Sequence, residues 1–342
     1  MTVSAAGSIA SPPAPAASRD LRIAIVCYHA AELTIDCLRS LAPEVAANPG
    51  VRVAICENGS GPECEARLRE AIEREGWQGW VSLVAITPNR GFAGGNDVIL
   101  RAALAEPRPP ALFLLLNSDT LVRPGALGEL LAAADRHPEA GIIGPRLEWP
   151  DGEPQRSCFR DAGPLDEFVA AAASGPVSRL LGRDSVARPV RDEPTRAENV
   201  SFAAALIRRE VFEQIGLLDE GYYLYFDDVD FCWRARRAGW QVLYWPAARV
   251  VHLIGRSNPM ESLRAARKRK PGYYYESRAR YFAKRGGRPY LWLANLAWWA
   301  GRLISRSREL LLRAPRAACE REWLDIWTHG WDPLQPPRSR QS

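Results

Sequence analysis

Between residues 20 and 120 the chain alternates short apolar runs with amphipathic stretches, and few folds accept that pattern. Residues 22–27 (RIAIVC), 51–56 (VRVAIC), 81–86 (VSLVAI) and 111–116 (ALFLLL) read as strands buried on both faces. Residues 32–46, 63–75 and 93–105 between them read as helices. Strand–helix alternation at this spacing predicts an α/β fold with a mostly parallel central sheet flanked by helices. Sheets of that kind take ligands beyond the carboxyl ends of their strands. The turns there are Tyr28-His29, Glu57-Asn58-Gly59-Ser60, Asn89-Arg90-Gly91-Phe92 and Asn117-Ser118-Asp119, and they are the first candidates for function.

Past residue 144 the pattern changes. Residues 150–195 are rich in Pro, Gly and charge, with no clear period, and read as an insert without an assigned role. Residues 200–207 (VSFAAALI) resume as a strand, 242–245 and 249–253 as two more, and the remainder is helical, basic and Trp-containing. The first 20 residues are rich in Ala, Ser and Pro. They lack a basic start and an unbroken apolar core, so they read as a disordered leader rather than a signal peptide. No apolar run reaches the roughly 18–20 residues of a membrane span; the longest candidate, 290–304, is shorter and carries Arg302. The seven cysteines are scattered with no CxxC pair, which argues against a disulfide framework or structural zinc and for a reducing cytosol. Cys27 and Cys56 close predicted strands as small core residues.

Three aspartates within four positions, Asp227, Asp228 and Asp230, stand in an aromatic stretch with Tyr222, Tyr223, Tyr225, Phe226, Phe231 and Trp233. Carboxylates this close repel one another, and aromatic neighbours make their charge harder to bury. A fold tolerates the arrangement when the acids hold a cation, take a proton or grip hydroxyls. The bland alternative is a solvated loop in which Asp227 or Asp228 caps a helix over 231–238. Asp119 follows a buried strand directly, where one carboxylate suffices for a cation that also binds substrate phosphates; a polar turn is the competing reading. The segment from Asn89 to Asn96 is glycine-rich and opens a helix, which suits close approach to a phosphate. Its spacing is not GxGxxG and it follows the third strand, so a dinucleotide fingerprint fails; tight helix packing is the alternative. His252 ends a predicted strand in VVHLIGRS, and its imidazole suits a divalent metal.

The order ENGS, NRGFAGGND, LLLNSDT, GLLDEGYYLYFDDVDFCWRARRAGW, VVHLIGRS resembles family 2 inverting glycosyltransferases of GT-A fold, most nearly their bacterial rhamnosyltransferase-like branch, over about residues 20–290. The resemblance implies a catalytic domain over 21–255, with a nucleotide-sugar half (21–120) and an acceptor half (121–255), followed by a basic helical extension over 256–342. It implies Asp228 as catalytic base, Asp230 as its support, and Asp119 and His252 as ligands of Mg2+ or Mn2+. Tyr28, Glu57, Asn58, Ser60, Asn89, Arg90, Gly91, Phe92, Gly95, Asn96, Asn117, Asp227 and Arg234 would contact donor or nucleotide, Arg234 by neutralising phosphate. Four positions depart from the family pattern: Glu57 for Asp, Asn117 for the first acid of D-x-D, Asp227 for Glu, and Leu218 for the Phe of G-x-F-D-E. The implied partners are a nucleotide-diphosphate sugar, with L-rhamnose as the favoured sugar, and a glycan or polyprenyl-linked acceptor in cell-surface polysaccharide synthesis.

The net charge of +5 conceals an asymmetry: residues 256–316 carry 16 Lys/Arg against 3 Glu, and the rest is acidic. A solvated helical surface is the default for such a segment. Its Trp292, Trp298, Trp299 and arginines also suit an anionic membrane, placing the protein in the cytoplasm, peripheral on the inner face of the membrane. No nucleic-acid recognition motif accompanies the charge. A second copy of the chain, as a homo-oligomer, is a further expected partner. The competing function is a non-catalytic nucleotide-sugar-binding protein or scaffold, suggested by the altered D-x-D. A phosphohydrolase using paired aspartates would place a nucleophilic Asp after the first strand, where Cys27-Tyr28-His29 stands.

Overall fold

The computed structural model describes residues 20–183, 185–254 and 260–337. All of the expected leader except Asp20, and the Gly255-Arg256-Ser257 end of the histidine motif, lie outside them. The opening alternation appears as β1 (Leu21–Cys27), α1 (Ala31–Ala47), β2 (Val51–Asn58), α2 (Pro62–Arg74), β3 (Val81–Ile86), α3 (Gly91–Leu104) and β4 (Leu112–Asn117). Then come β5 (Thr120–Val122), α4 (Ala126–Arg136), β6 (Ala140–Glu148), β7 (Cys158–Phe159), α5 (Pro164–Ala172), α6 (Gly175–Leu180), β8 (Thr195–Ala197), β9 (Asn199–Val200), β10 (Ala204–Arg208) and α7 (Arg209–Ile215). The acidic helix is α8 (Asp227–Arg237), followed by β11 (Gln241–His252), α9 (Met260–Ala265), α10 (Gly272–Leu311) and α11 (Glu322–Asp325).

The main sheet has nine strands in the order β3-β2-β1-β4-β10-β6-β11-β5, with β8 also on β11. β3, β2, β1 and β4 are mutually parallel, β11 is parallel to β6, and β10, β5 and β8 run against their neighbours. The mostly parallel expectation holds. The buried apolar residues fall into two sets. Ile23, Ile25, Leu38, Leu41, Val53 and Leu114 belong to the first; Ala24, Phe113, Leu115, Ile207, Phe212 and Phe231 belong to the second. That alternation along β1 and β4 is the period of two by which a strand covered on both faces feeds both sides.

Two sequence expectations change. The strand expected over 200–207 is broken by a turn at Phe202-Ala203, where Ala203 N–H bonds the Ser201 hydroxyl, 3.3 Å away. The two strands expected over 242–253 are one, β11, which slips register against β6 between Trp245 and Arg249. The loop-rich insert contains α5 and α6, and α10 packs along α5: a Cβ on Gly301 would stand 2.1 Å from the Phe168 carbonyl oxygen. Tyr222, Ala279, Tyr281, Phe282, Leu291 and Ala294 form a third core that joins α10 to the loop before α8. α10, part of the expected extension, therefore packs against α5 and the loop before α8.

Candidate active site

The turns after β1, β2 and β3 interlock. Glu57, buried at the end of β2, accepts the Ser60 N–H through Oε1 at 2.7 Å, and the Ser60 hydroxyl accepts the His29 N–H at 2.8 Å. Tyr28 is 39% exposed beside it, its ring 4.3 Å from that of His29. The buried Asn58 amide donates to Asn89 Oδ1 and to the Gly91 carbonyl, both at 3.0 Å, and accepts the Arg90 N–H at 3.0 Å. Asn89 Oδ1 also receives the Gly91 N–H at 2.7 Å. This knot fixes the mouth of the sheet without help from outside.

The glycine-rich segment serves packing more than phosphate contact. Gly91 has φ +72°, and a Cβ there would lie 2.2 Å from the Tyr223 carbonyl oxygen. That same oxygen accepts the Phe92 N–H at 2.9 Å, so backbone covers the first turn of α3. A Cβ on Gly95 would lie 2.7 Å from Val26 Cγ1 on β1. Asn96 is buried and donates to the Phe92 carbonyl at 3.0 Å. Arg90 is committed to Glu220 at 2.5 Å, which also pairs with Arg101 at 2.9 Å. Of the residues expected to line a donor pocket, Arg90, Gly91 and Gly95 thus hold the fold together through contacts with protein neighbours, while Asn96 is only partly engaged, its Oδ1 buried without a hydrogen-bond partner among the described residues.

Asp119 and His252 do meet. Asp119 sits in the turn between β4 and β5, and β5 pairs antiparallel with β11, with Thr120 opposite His252. The Leu253 N–H donates to the Asp119 carbonyl at 2.9 Å. Asp119 Oδ1 is 3.6 Å from His252 Nε2. Both oxygen and nitrogen can reach one ion, since the separation is less than twice the ligand distance of about 2.1 Å for Mg2+. Burial pushes the His252 imidazole below its ordinary value against the pull of Asp119, which keeps it in the neutral form that ligates metal. Gln155 holds the His252 carbonyl at 2.8 Å. Among the described residues no group of three or more His, Cys, Asp or Glu is placed to hold a metal; Asp119 and His252 are two such side chains that come within reach of each other.

The turn at 201–203 links that pair to the acidic helix. Asn117 N–H donates to the Ala203 carbonyl at 2.9 Å, and the backbone of Phe202 hydrogen-bonds the Asp228 carboxylate. Asp227 and Asp228 open α8, where the helix dipole favours negative charge. Tyr225 and Phe226, immediately before it, have φ of +71° and +66°. Bulky residues seldom occupy that region, and strain of this kind, of order 1–3 kcal/mol per residue, clusters at functional sites. Burial pushes Asp228 up to about 6 despite the hydrogen bonds from backbone, including Val229 N–H at 2.8 Å. Burial, and then the charge of Asp228, pushes Asp227 well above the ordinary carboxylate range.

Asp230 does not support Asp228. Two residues along a helix turn the side chain by about 200°, and Asp230 faces Tyr222 and α10. Its Oδ1 is 2.7 Å from Lys284 Nζ and 3.3 Å from the Tyr222 hydroxyl, and its Oδ2 is 2.9 Å from Arg234 Nε. Arg234 likewise leaves the phosphate role: its other nitrogens donate to the Ile215 and Leu217 carbonyls at 2.8 and 2.9 Å. Asp219 was missed from sequence. Burial would raise its carboxyl, but the hydrogen bonds of Arg280 and Lys284, at 2.8 to 2.9 Å, bring it down to about 2. The signal for Lys284 and Arg280 was the charge asymmetry: a basic segment following an acidic body is where partners for buried acids reside.

A family model described as glycosyltransferase like family 2 matches residues 18–275. The N-acetylglucosaminyl-diphospho-decaprenol L-rhamnosyltransferase of Mycobacterium tuberculosis is 34% identical over 152 residues, 43% of this chain and 48% of that protein. The low-salt glycan biosynthesis hexosyltransferase Agl10 of Haloferax volcanii is 29% identical over 149 residues, 44% of each chain. The chain thus spans about half the length of these relatives. Among solved structures, the mannosyltransferase PcManGT from Pyrobaculum calidifontis, in complex with GDP-Man and Mn2+, superposes with a TM-score of 0.55 at 15% identity, covering 96% of this chain and 89% of that one. GalNAc-T7 with UDP, GalNAc and Mn2+ gives 0.54 at 16% identity, covering 91% and 58%. These likenesses show the fold, which is GT-A.

Proposed function

The chain belongs to the glycosyltransferase-like family 2, and on that premise we propose that it transfers a sugar, with L-rhamnose the favoured one, from a nucleotide diphosphate to a hydroxyl of a glycan or polyprenyl-linked acceptor, with inversion. The observation that carries this reading is the Asp119–His252 pair joined through the turn at 201–203 to Asp228, a carboxylate raised to about 6. The names of the rhamnosyl- and hexosyltransferase relatives support the substrate class. Asp228 accepts the proton of the acceptor hydroxyl as its oxygen attacks the anomeric carbon; a base is most effective when its pKa is near the working pH. Burial raises its proton affinity against the backbone hydrogen bonds that lower it. Asp119 and His252 are the residues to hold Mg2+ or Mn2+, which when bound supplies positive charge to the departing diphosphate. Asn58 and Glu57 keep the donor side of the mouth rigid through their hydrogen bonds, so Glu57 in place of Asp acts first on the Ser60 turn. Asp227, with its raised proton affinity, is the second group able to hydrogen-bond an acceptor hydroxyl.

The test is transfer from a panel of nucleotide sugars to a prenyl-diphosphate-linked acceptor, with the anomeric configuration of the product read by NMR. Inversion in the wild type and loss of transfer with retained donor binding in Asp228→Asn are expected. Near-normal turnover in that variant would sink the assignment of the base, and donor binding without transfer by the wild type to any acceptor would favour the scaffold reading.

A further inference from the structure

Gly286 and Gly287 interrupt α10, the latter at φ +70°. Beyond them Leu291, Ala294, Trp298, Gly301 and Ser305 turn inward and are buried. At about 100° per residue the opposite side carries Leu293, Leu296, Ala300, Leu303, Ser307 and Leu310. The four leucines there are 53–65% exposed, and no charged residue shares that face. A helix packed on a globular body by one face ordinarily presents polar residues on the other. Aromatic side chains widen the strip: the Trp331 ring is 5.1 Å from Trp292 and the Trp323 ring 6.3 Å from Trp299, with Trp331 and Trp323 mostly exposed.

We propose that this outward face of α10 and the tryptophans beside it lie on an anionic lipid bilayer. The occupant follows from the rim. Arg288, Arg306, Arg313, Arg316 and Arg321 are exposed around the strip. Of the acids nearby, Glu309 is paired with Arg302 and Arg306, Glu322 with Lys270, and Asp325 with Arg269; Glu320 and Asp332 are the exposed ones. Leucines flanked by indoles and arginines suit the headgroup boundary, where apolar bodies sink and cationic tips stay wet. A second copy fits less well. Leu293, Leu296, Ala300, Leu303, Ser307 and Leu310 keep the spacing of a coiled-coil seam, but pairing two copies through it would bring their exposed arginine rims together, like charge against like. No described helix is long and apolar enough to cross a membrane, so the contact is one of lying on the surface. This inference stands on the surface alone and does not require the transfer reaction.

The test is co-sedimentation of the full chain with phosphatidylcholine vesicles, with and without phosphatidylglycerol. Binding to the anionic vesicles, weakened by salt, is expected. The double variant Leu296→Asp/Leu303→Asp, at exposed positions, should bind about tenfold or more weakly with an unchanged melting temperature, and Arg313→Glu/Arg316→Glu should bind more weakly than the wild type. Unchanged sedimentation of the leucine variant, or no binding by the wild type, overturns the proposal. So does a wild-type dimer that the leucine variant splits while vesicle binding persists, which would assign the face to a second copy. Donor binding by the same proteins is a separate readout: its absence in the wild type would count against the transfer reaction and leave the vesicle result standing.

Discussion

The two halves of the candidate site are held by different forces. Around β1–β4, Glu57, Asn58, Ser60 and Asn89 bond one another and nearby backbone, and glycines let α3 close on β1. Around α8, the acids are held by cations that arrive from α10: Lys284 reaches both Asp219 and Asp230, and Arg280 reaches Asp219. The first half is set by short-range hydrogen bonds and close packing, with the Arg90–Glu220 ion pair at its edge. The second is set by charge brought from far along the chain, beside strained aromatics and carboxyls with raised proton affinity. Electrostatic cost is concentrated where the proton must move, the expected signature of a functional site.

Substitutions separate the two modes. Asp228→Asn should lower transfer by about 10³-fold, or about 4 kcal/mol of barrier, in single-turnover assays with donor affinity unchanged. Asp230→Ala, two positions away, should act on the fold instead, because it removes one of the two carboxylates that Lys284 pairs with and the carboxylate that Arg234 pairs with. About 3–5 kcal/mol of stability should disappear in urea titration, and a variant that keeps its stability but loses turnover would return Asp230 to catalysis. Gly91→Ala joins the halves, since its methyl meets the Tyr223 carbonyl; about 1–3 kcal/mol of destabilisation is expected by thermal denaturation. Asp119→Ala should weaken donor binding about tenfold with Mg2+ or Mn2+ present and little in its absence; an unchanged metal titration would remove Asp119 from the site.

Acidity gives a further division. As the proposed base, Asp228 acts only when ionised, so with its carboxyl at about 6 kcat/KM should fall about tenfold per pH unit below that value and level off above it. Asp219 has the opposite shift. Its folded value of about 2 lies below the unfolded one, so its contribution to stability is present above about pH 4 and disappears as the pH falls toward 2. Activity and this anchor should therefore fail in separate windows, which a pH series of rate and melting temperature will resolve. A common midpoint would erase the distinction between the two halves.

The regular half was legible because a strand covered on both faces leaves a continuous apolar run and each turn a polar break. β3 appears over the residues expected, and β1, β2 and β4 within two residues at either end. Asp119 and His252 were legible as candidates by position, at strand ends. Their meeting depends on β5, a three-residue strand with almost no pattern of its own. The insert was not legible: α5 is defined by its packing against α10, and short helices draw most of their stability from such contacts. Asp230 and Arg234 were misread because linear proximity to Asp228 conceals a turn of about 200° around the helix. The glycines of α3 looked like a phosphate cradle because a sequence cannot say whether a missing side chain makes room for a ligand or for a neighbouring carbonyl.

The pairing of α8 with α10 has a consequence in time. Lys284 is made 65 residues after Asp219, a delay of roughly 3–13 s at ordinary rates of translation. Once α8 is made, Arg234 stands beside Asp230 at once, but Asp219 waits for the cations of α10. The growing chain therefore reaches its acidic helix before it can bury it, and the last turn of helix before Gly286 is the step that closes the acidic half.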